Sequence, residues 1–222
     1  MSLTQLRRQE RAAACLTFRE LGPEVPTLCS QWSAADLAGH LVISERYGGV
    51  PMVVAYPLRR VLPGSVRDHL MRSARAVGDR QITAAKAKGW DWLLRRLEAG
   101  PPAAYRLSSI APIRLIEEWI HHEDLRRANG MAPRPSSPPL DGALWNAALV
   151  LTRFPEFLTQ REGLEVVLPD GRSHRVGDTT RVRLEGAPGE ILLFLAGRTA
   201  AAQVSATGDA DVIRALDTSL AV

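Results

Sequence analysis

The segment from Pro112 to Leu125 (PIRLIEEWIHHEDL) holds the residues best suited to chemistry. Wound as a helix, it places Glu117, His121 and Asp124 on one face at i, i+4 and i+7. A carboxylate and an imidazole one turn apart can reach the same divalent ion. A further imidazole lies upstream at His40, within Trp32-Ser33-Ala34-Ala35-Asp36-Leu37-Ala38-Gly39-His40-Leu41. Together the two segments point to a metal held between helices by His40, Glu117 and His121. Three protein ligands leave coordination positions open, which separates a catalytic metal site from a structural one.

Each of these residues also has a plainer reading. His40 is flanked by Leu37 and Leu41, near the buried side of its helix, where a histidine often serves only hydrogen bonding. Asp36 reads as a helix cap. Asp124 either orients His121 from behind or is a surface charge beside Arg127. Glu118 and His122 sit one residue off the proposed face and become the pair if the register differs. Cys29 precedes its helix, and partial burial beside Trp32 accounts for it, so no nucleophile is assigned there. Arg46, Tyr47 and His69 are further candidates for a pocket.

The elements that must position these side chains fall into two textures. From Leu3 to about Asn129 apolar residues recur at three- and four-residue spacing, the helical period. A first helix spans Leu3 to Leu21 and stops at Gly22-Pro23. A second opens at Ser33, where Ser33-x-x-Asp36 forms a capping box, and frays by Gly48-Gly49. Val50 to Pro63 is apolar but carries three prolines, and reads as an irregular loop. Ser65-x-x-Asp68 starts a third helical region, interrupted near Gly89 and resumed from Trp90 to Ala99. Pro112 suits a first helical position and Asn129-Gly130 a C-terminal cap. Residues 132–139 hold four prolines and read as a linker. Beyond them come a helix (Leu140 to Gln160), strands at Leu164–Leu168, Ser173–Val176 and Thr180–Leu184, an apolar helix from Gly189 to Ala196, a strand at Ala202–Ala206 and a last helix at Asp209–Leu216.

Composition bounds the rest. With 222 residues, 45% of them hydrophobic and 23% charged, the chain has the profile of a soluble protein with one large or two small domains. Its two cysteines, Cys15 and Cys29, form no CxxC pair, which argues against a disulfide framework and for a reducing cytoplasm. The first twenty residues read as a charged amphipathic helix rather than a secretory leader, and no apolar run approaches membrane-spanning length. The net charge of +4 comes from dispersed pairs such as Arg7-Arg8, Arg59-Arg60, Arg95-Arg96 and Arg126-Arg127. Without interleaved aromatics or a reading motif these are solvated faces, and neither nucleic acid nor membrane is an expected partner. A mildly basic surface suits an anionic small molecule.

The stretch Pro26-Thr27-Leu28-Cys29-Ser30-Gln31-Trp32-Ser33-Ala34-Ala35-Asp36-Leu37-Ala38-Gly39-His40-Leu41 resembles the N-terminal signature of the mycothiol-dependent maleylpyruvate isomerase-like family, among the DinB-like metal-binding helical bundles. Glu117-x-x-x-His121-x-x-Asp124 resembles its second signature, and the run from His121 to Ala128 is close to an actinobacterial subfamily. Pro188-Gly189-Glu190 through Gly197-Arg198, with Val204-x-x-x-Gly208-Asp209, is similar to its sterol-carrier-like C-terminal domain.

The resemblance implies an α+β chain: an up-and-down four-helix bundle over residues 1–134, then a helix and a small sterol-carrier-like α+β domain over 135–222. It implies that His40, Glu117 and His121 hold a divalent metal, zinc above all, and that Arg198 serves the active site. It further implies a low-molecular-weight thiol, mycothiol, attacking a small electrophilic and anionic substrate. Isomerisation follows if the thiol adds reversibly to a cis double bond, and transfer follows if it stays attached. The competing class is a non-enzymatic metal- or ligand-binding or regulatory protein that keeps the bundle. Either a monomer or a homodimer is compatible with the sequence.

Overall fold

Reciprocal capping starts the helix that carries His40. The Ser33 amide donates to Asp36 Oδ2 at 3.0 Å and the Asp36 amide to Ser33 Oγ at 3.4 Å. Two amides with no acceptor inside the helix are thereby satisfied. In the computed structural model, residues 1–29, 31–47, 64–102, 111–135, 137–152 and 163–220 are described. The helical part comprises α1 (Leu3–Leu21), α2 (Ala34–Tyr47), α3 (Gly64–Lys86), α4 (Trp90–Ala99) and α5 (Ala111–Ala128). There follow α6 (Pro138–Thr152), β1 (Leu164–Val167), β2 (Ser173–Val176), β3 (Val182–Glu185), α7 (Pro188–Leu195), β4 (Ser205–Gly208) and α8 (Ala210–Leu220). A helical N-terminal region thus precedes a small four-stranded mixed sheet with helices, an α+β arrangement as expected.

The chain divides into two compact units. One contains Arg8–Ala111 and Asp124–Gly130. Its core is built from Cys15 and Phe18 of α1, Leu37, Ala38 and Leu41 of α2, and Leu93, Leu94 and Leu97 of α4. These positions repeat every three or four residues, so each helix turns one apolar stripe inward. A Cβ on Gly39 would meet Ile82 of α3 at 3.3 Å, so the bare backbone there admits α3 against α2. Lys86 Nζ, at the end of α3, lies 2.5 Å from Asp36 Oδ1 at the start of α2.

The other unit contains Met1–Arg7, Pro112–Glu123 and Met131–Val222. Its sheet has the order β2-β1-β3-β4, with β1 parallel to β3 and antiparallel to β2, and β3 antiparallel to β4. Leu164, Val166, Val182 and Leu184 are buried, while Arg183 and Glu185 point to solvent, the two-residue period of a half-buried sheet. The buried side joins Ile191 to Leu195 of α7, Leu144, Trp145 and Ala148 of α6, and Ile116, Trp119 and Ile120 of α5. A Cβ on Gly189 would come within 2.7 Å of the Trp119 ring, so glycine lets α7 begin against that indole.

Boundaries differ from the expected ones in physically explicable places. Pro138 and Pro139 open α6 rather than extend the linker. Proline is tolerated in a first turn, and the Ser137 amide finds Asp141 Oδ2 at 3.1 Å. The last strand lies at Ser205–Gly208 rather than Ala202–Ala206, because the Ala202 amide is used by the Arg198 carbonyl at 3.0 Å in the turn after α7. Gly208 instead pairs with Val182, and its positive φ of 119° suits glycine alone. Residues 50–63 and 153–160, read as a loop and a helix end, lie outside the described residues. Among the described residues no helix is long and apolar enough to cross a membrane.

Candidate metal centre

Two stripes of α5 carry polar groups with different surroundings. Glu117 and His121 are half-buried, one turn apart, and Arg114 NH1 lies 3.5 Å from Glu117 Oε2. Glu118 and His122, one residue along, are buried. Arg7 grips Glu118 with two parallel bonds, Nε to Oε2 at 3.1 Å and NH2 to Oε1 at 2.7 Å. Arg134 NH1 lies 3.4 Å from His122 Nδ1, its Nε lies 2.8 Å from Glu123 Oε1, and its guanidinium sits 5.2 Å from the Trp119 ring centre. Arginine forks match carboxylate geometry, so these acids are held as ion pairs.

The loop before α2 folds onto the C-terminal turns of α5. The Leu28 amide donates to the Asp124 carbonyl at 3.0 Å, and Asn129 Nδ2 donates to the Pro26 carbonyl at 3.0 Å. Thr27 Oγ1 donates to the Trp32 carbonyl at 2.9 Å, closing the loop on itself around Gln31 at φ 70°. This places the Cys29 thiol 3.1 Å from Asp124 Oδ2, to which it donates. Asp124 is 0% exposed. The surface-charge reading of Asp124 is thus corrected: the loop covers it. His40 is half-buried and tilts against Trp32, with ring centres 5.0 Å apart.

Two donor sets result among the described residues. His40, Glu117 and His121 offer one ligand atom each, all within 4.8 Å of one another. Cys29, His121 and Asp124 do the same within the same limit. A tetrahedral ion bonded at about 2.0–2.2 Å wants donors roughly 3.3 Å apart. Two imidazoles and a carboxylate form an N/N/O set of the kind catalytic zinc uses. The first set therefore suits a divalent ion in donor chemistry.

Other candidate residues are placed as follows. Arg198 lies just beyond α7, half-buried, and its NH1 donates to the Ala196 carbonyl at 2.7 Å. A cation there complements the helix C-terminus. His69 is exposed on α3, and the side chains of Arg46 and Tyr47 lie outside the described part. Cys15 is buried in its helical core, and burial pushes its thiol up to about 11. The pairing of Cys29 with Asp124 was not foreseen, since 95 residues separate them and neither flank advertises the other.

No family model matches the sequence, and no curated protein does. Solved structures do. A crystal structure of the mycothiol-dependent maleylpyruvate isomerase aligns over 94% of this chain and 95% of that one, with a TM-score of 0.52 and 16% identity. A histidine-to-alanine mutant of the isomerase aligns over the same shares at a TM-score of 0.53 and 16% identity. The chain has the isomerase fold. The likeness to the isomerase spans the helical region and the sheet alike, which bears out the resemblance at the level of fold.

Proposed function

We propose that the chain is a metal-dependent enzyme of the mycothiol-dependent isomerase or S-transferase type, acting on a small electrophilic, anionic substrate with a low-molecular-weight thiol. The observation that carries this reading is the convergence of His40, Glu117 and His121 donor atoms, within the fold of the isomerase. In this reading these three residues hold one divalent ion, zinc. A zinc ion with an open position stabilises a bound thiolate at neutral pH. Arg114, 3.5 Å from Glu117, restrains the carboxylate that ligates. Arg198 neutralises a substrate carboxylate or the charge that develops on it. A reducing cytoplasm suits two cysteines, Cys15 and Cys29, that form no disulfide.

Arg198 also supports a second reading, a non-enzymatic metal-binding protein, because its guanidinium is already engaged by the Ala196 carbonyl. Elemental analysis separates the possibilities at their root. Full-length protein reconstituted with zinc is expected to hold about one ion per chain, and His40→Ala and His121→Ala should lose it. Protein that stays metal-free would remove the metal-dependent reading, and unchanged metal in both variants would remove this ligand set. Metal retained but no turnover across a panel of thiols with maleyl-type electrophiles would favour the binding protein.

A further inference from the structure

We propose that Cys29, His121 and Asp124 form a second metal position, selective for thiophilic divalent ions such as Cd²⁺, and that it competes with the His40 set for His121. His121 and Asp124 lie three residues apart on the same face of α5. The loop clipped by Leu28 and Asn129 then brings the Cys29 sulfur to 3.1 Å from the buried Asp124 carboxylate. One donor atom from each of the three lies within 4.8 Å of the others. The set is S/N/O, whereas His40, Glu117 and His121 offer only nitrogen and oxygen.

Donor type decides which ion prefers which position. A thiolate is the softest donor a side chain supplies, and it favours cadmium and copper(I) over magnesium, calcium or manganese, whereas borderline zinc also takes an N/O set. On binding, the Cys29 thiol gives its proton to solvent and the sulfur bonds the ion. A neutral imidazole has a single lone-pair nitrogen, so His121 ligates one ion at a time. The chain therefore takes one ion per His121, in the sulfur set for a strongly thiophilic ion such as Cd²⁺ and in the N/O set for a borderline or harder ion such as Zn²⁺. This holds whether or not the N/O set is catalytic.

Metal-free full-length protein titrated with Cd²⁺ reads the sulfur set directly, through the thiolate-to-cadmium charge-transfer band in the ultraviolet. The expected result is a band saturating at one equivalent, retained in His40→Ala and in Cys15→Ser, and abolished in Cys29→Ser. Asp124→Asn should keep the band but weaken Cd²⁺ binding at least tenfold, with a thermal melt confirming that each variant is folded. Wild-type protein that binds no Cd²⁺, or binds it without the band, overturns the proposal, as does a band that survives Cys29→Ser. Zinc content in Cys29→Ser, compared with the Cys29→Ser/His40→Ala double variant, tests the other set, so the two readings fail separately.

Discussion

Glu117 is half-buried 3.5 Å from Arg114, whereas its neighbour Glu118 is buried under a two-pronged bond from Arg7. The adjacent acids should therefore respond differently to removal. Glu118→Ala leaves the half-buried Arg7 guanidinium without its anion, a loss of about 2–4 kcal/mol in a denaturant melt, below the cost of breaking a fully buried pair, with metal content unchanged. Glu117→Ala should shift the melt less, because its contact with Arg114 is longer than the Arg7–Glu118 bonds and Glu117 is itself more exposed than Glu118, and should abolish zinc binding. The reverse pattern would mean that Glu118 and His122 are the ligands. From sequence both pairs have the same spacing, so periodicity alone could not choose between them. The partner that settles Glu118, Arg7, lies 111 residues away. Arg198→Ala belongs to the same scale: turnover should fall by about 10²–10³ if its cation meets developing charge, with zinc content intact. Unchanged turnover would assign Arg198 to the end of α7 alone.

The elements were the most legible level, because caps and apolar period are local signals. Ser33 and Asp36 announce α2, and the bonds between them are present. Partial burial raises the Asp36 carboxyl, but hydrogen bonds from Lys86 and Ser33 outweigh it and hold the group below the usual carboxylate range. A carboxyl lowered in the folded state contributes stability above its unfolded pKa of about 3.9, and that contribution is lost as pH falls through the lower folded value. Asp36→Asn should therefore lower the melting temperature at neutral pH and flatten its fall toward acid. A variant with the wild-type acid limb would show that the pair contributes nothing. Strand positions were less legible. Ala202 to Ala206 looks like a strand by composition, yet pairing is decided by Gly208 opposite Val182 and by the use of the Ala202 amide in a turn. The loop that delivers Cys29 to Asp124 was not legible, since its clips join residues about a hundred positions apart.

At the scale of the molecule, composition and packing divide the chain differently. The prolines of 132–139 mark a change of texture, but Ile116, Trp119 and Ile120 of α5 belong to the same buried cluster as α6, α7 and the sheet. Arg134 ties the start of the proline segment to Glu123 and Trp119 of the same helix. A fragment ending at residue 134 would strip those three apolar side chains of their cover. At about 1.5–3 kcal/mol for each large buried side chain, that is roughly 5–9 kcal/mol, which rivals the whole stability of an ordinary domain. The fragment 1–134 carries every proposed zinc ligand, yet it should melt without cooperativity and bind zinc poorly, while the full chain melts cooperatively. Circular dichroism melts and elemental analysis of both forms provide the check. A fragment with a sharp melt and one tightly held zinc would mean that the helical part folds and binds metal without the sheet, and that the C-terminal elements contribute only to what the metal acts upon.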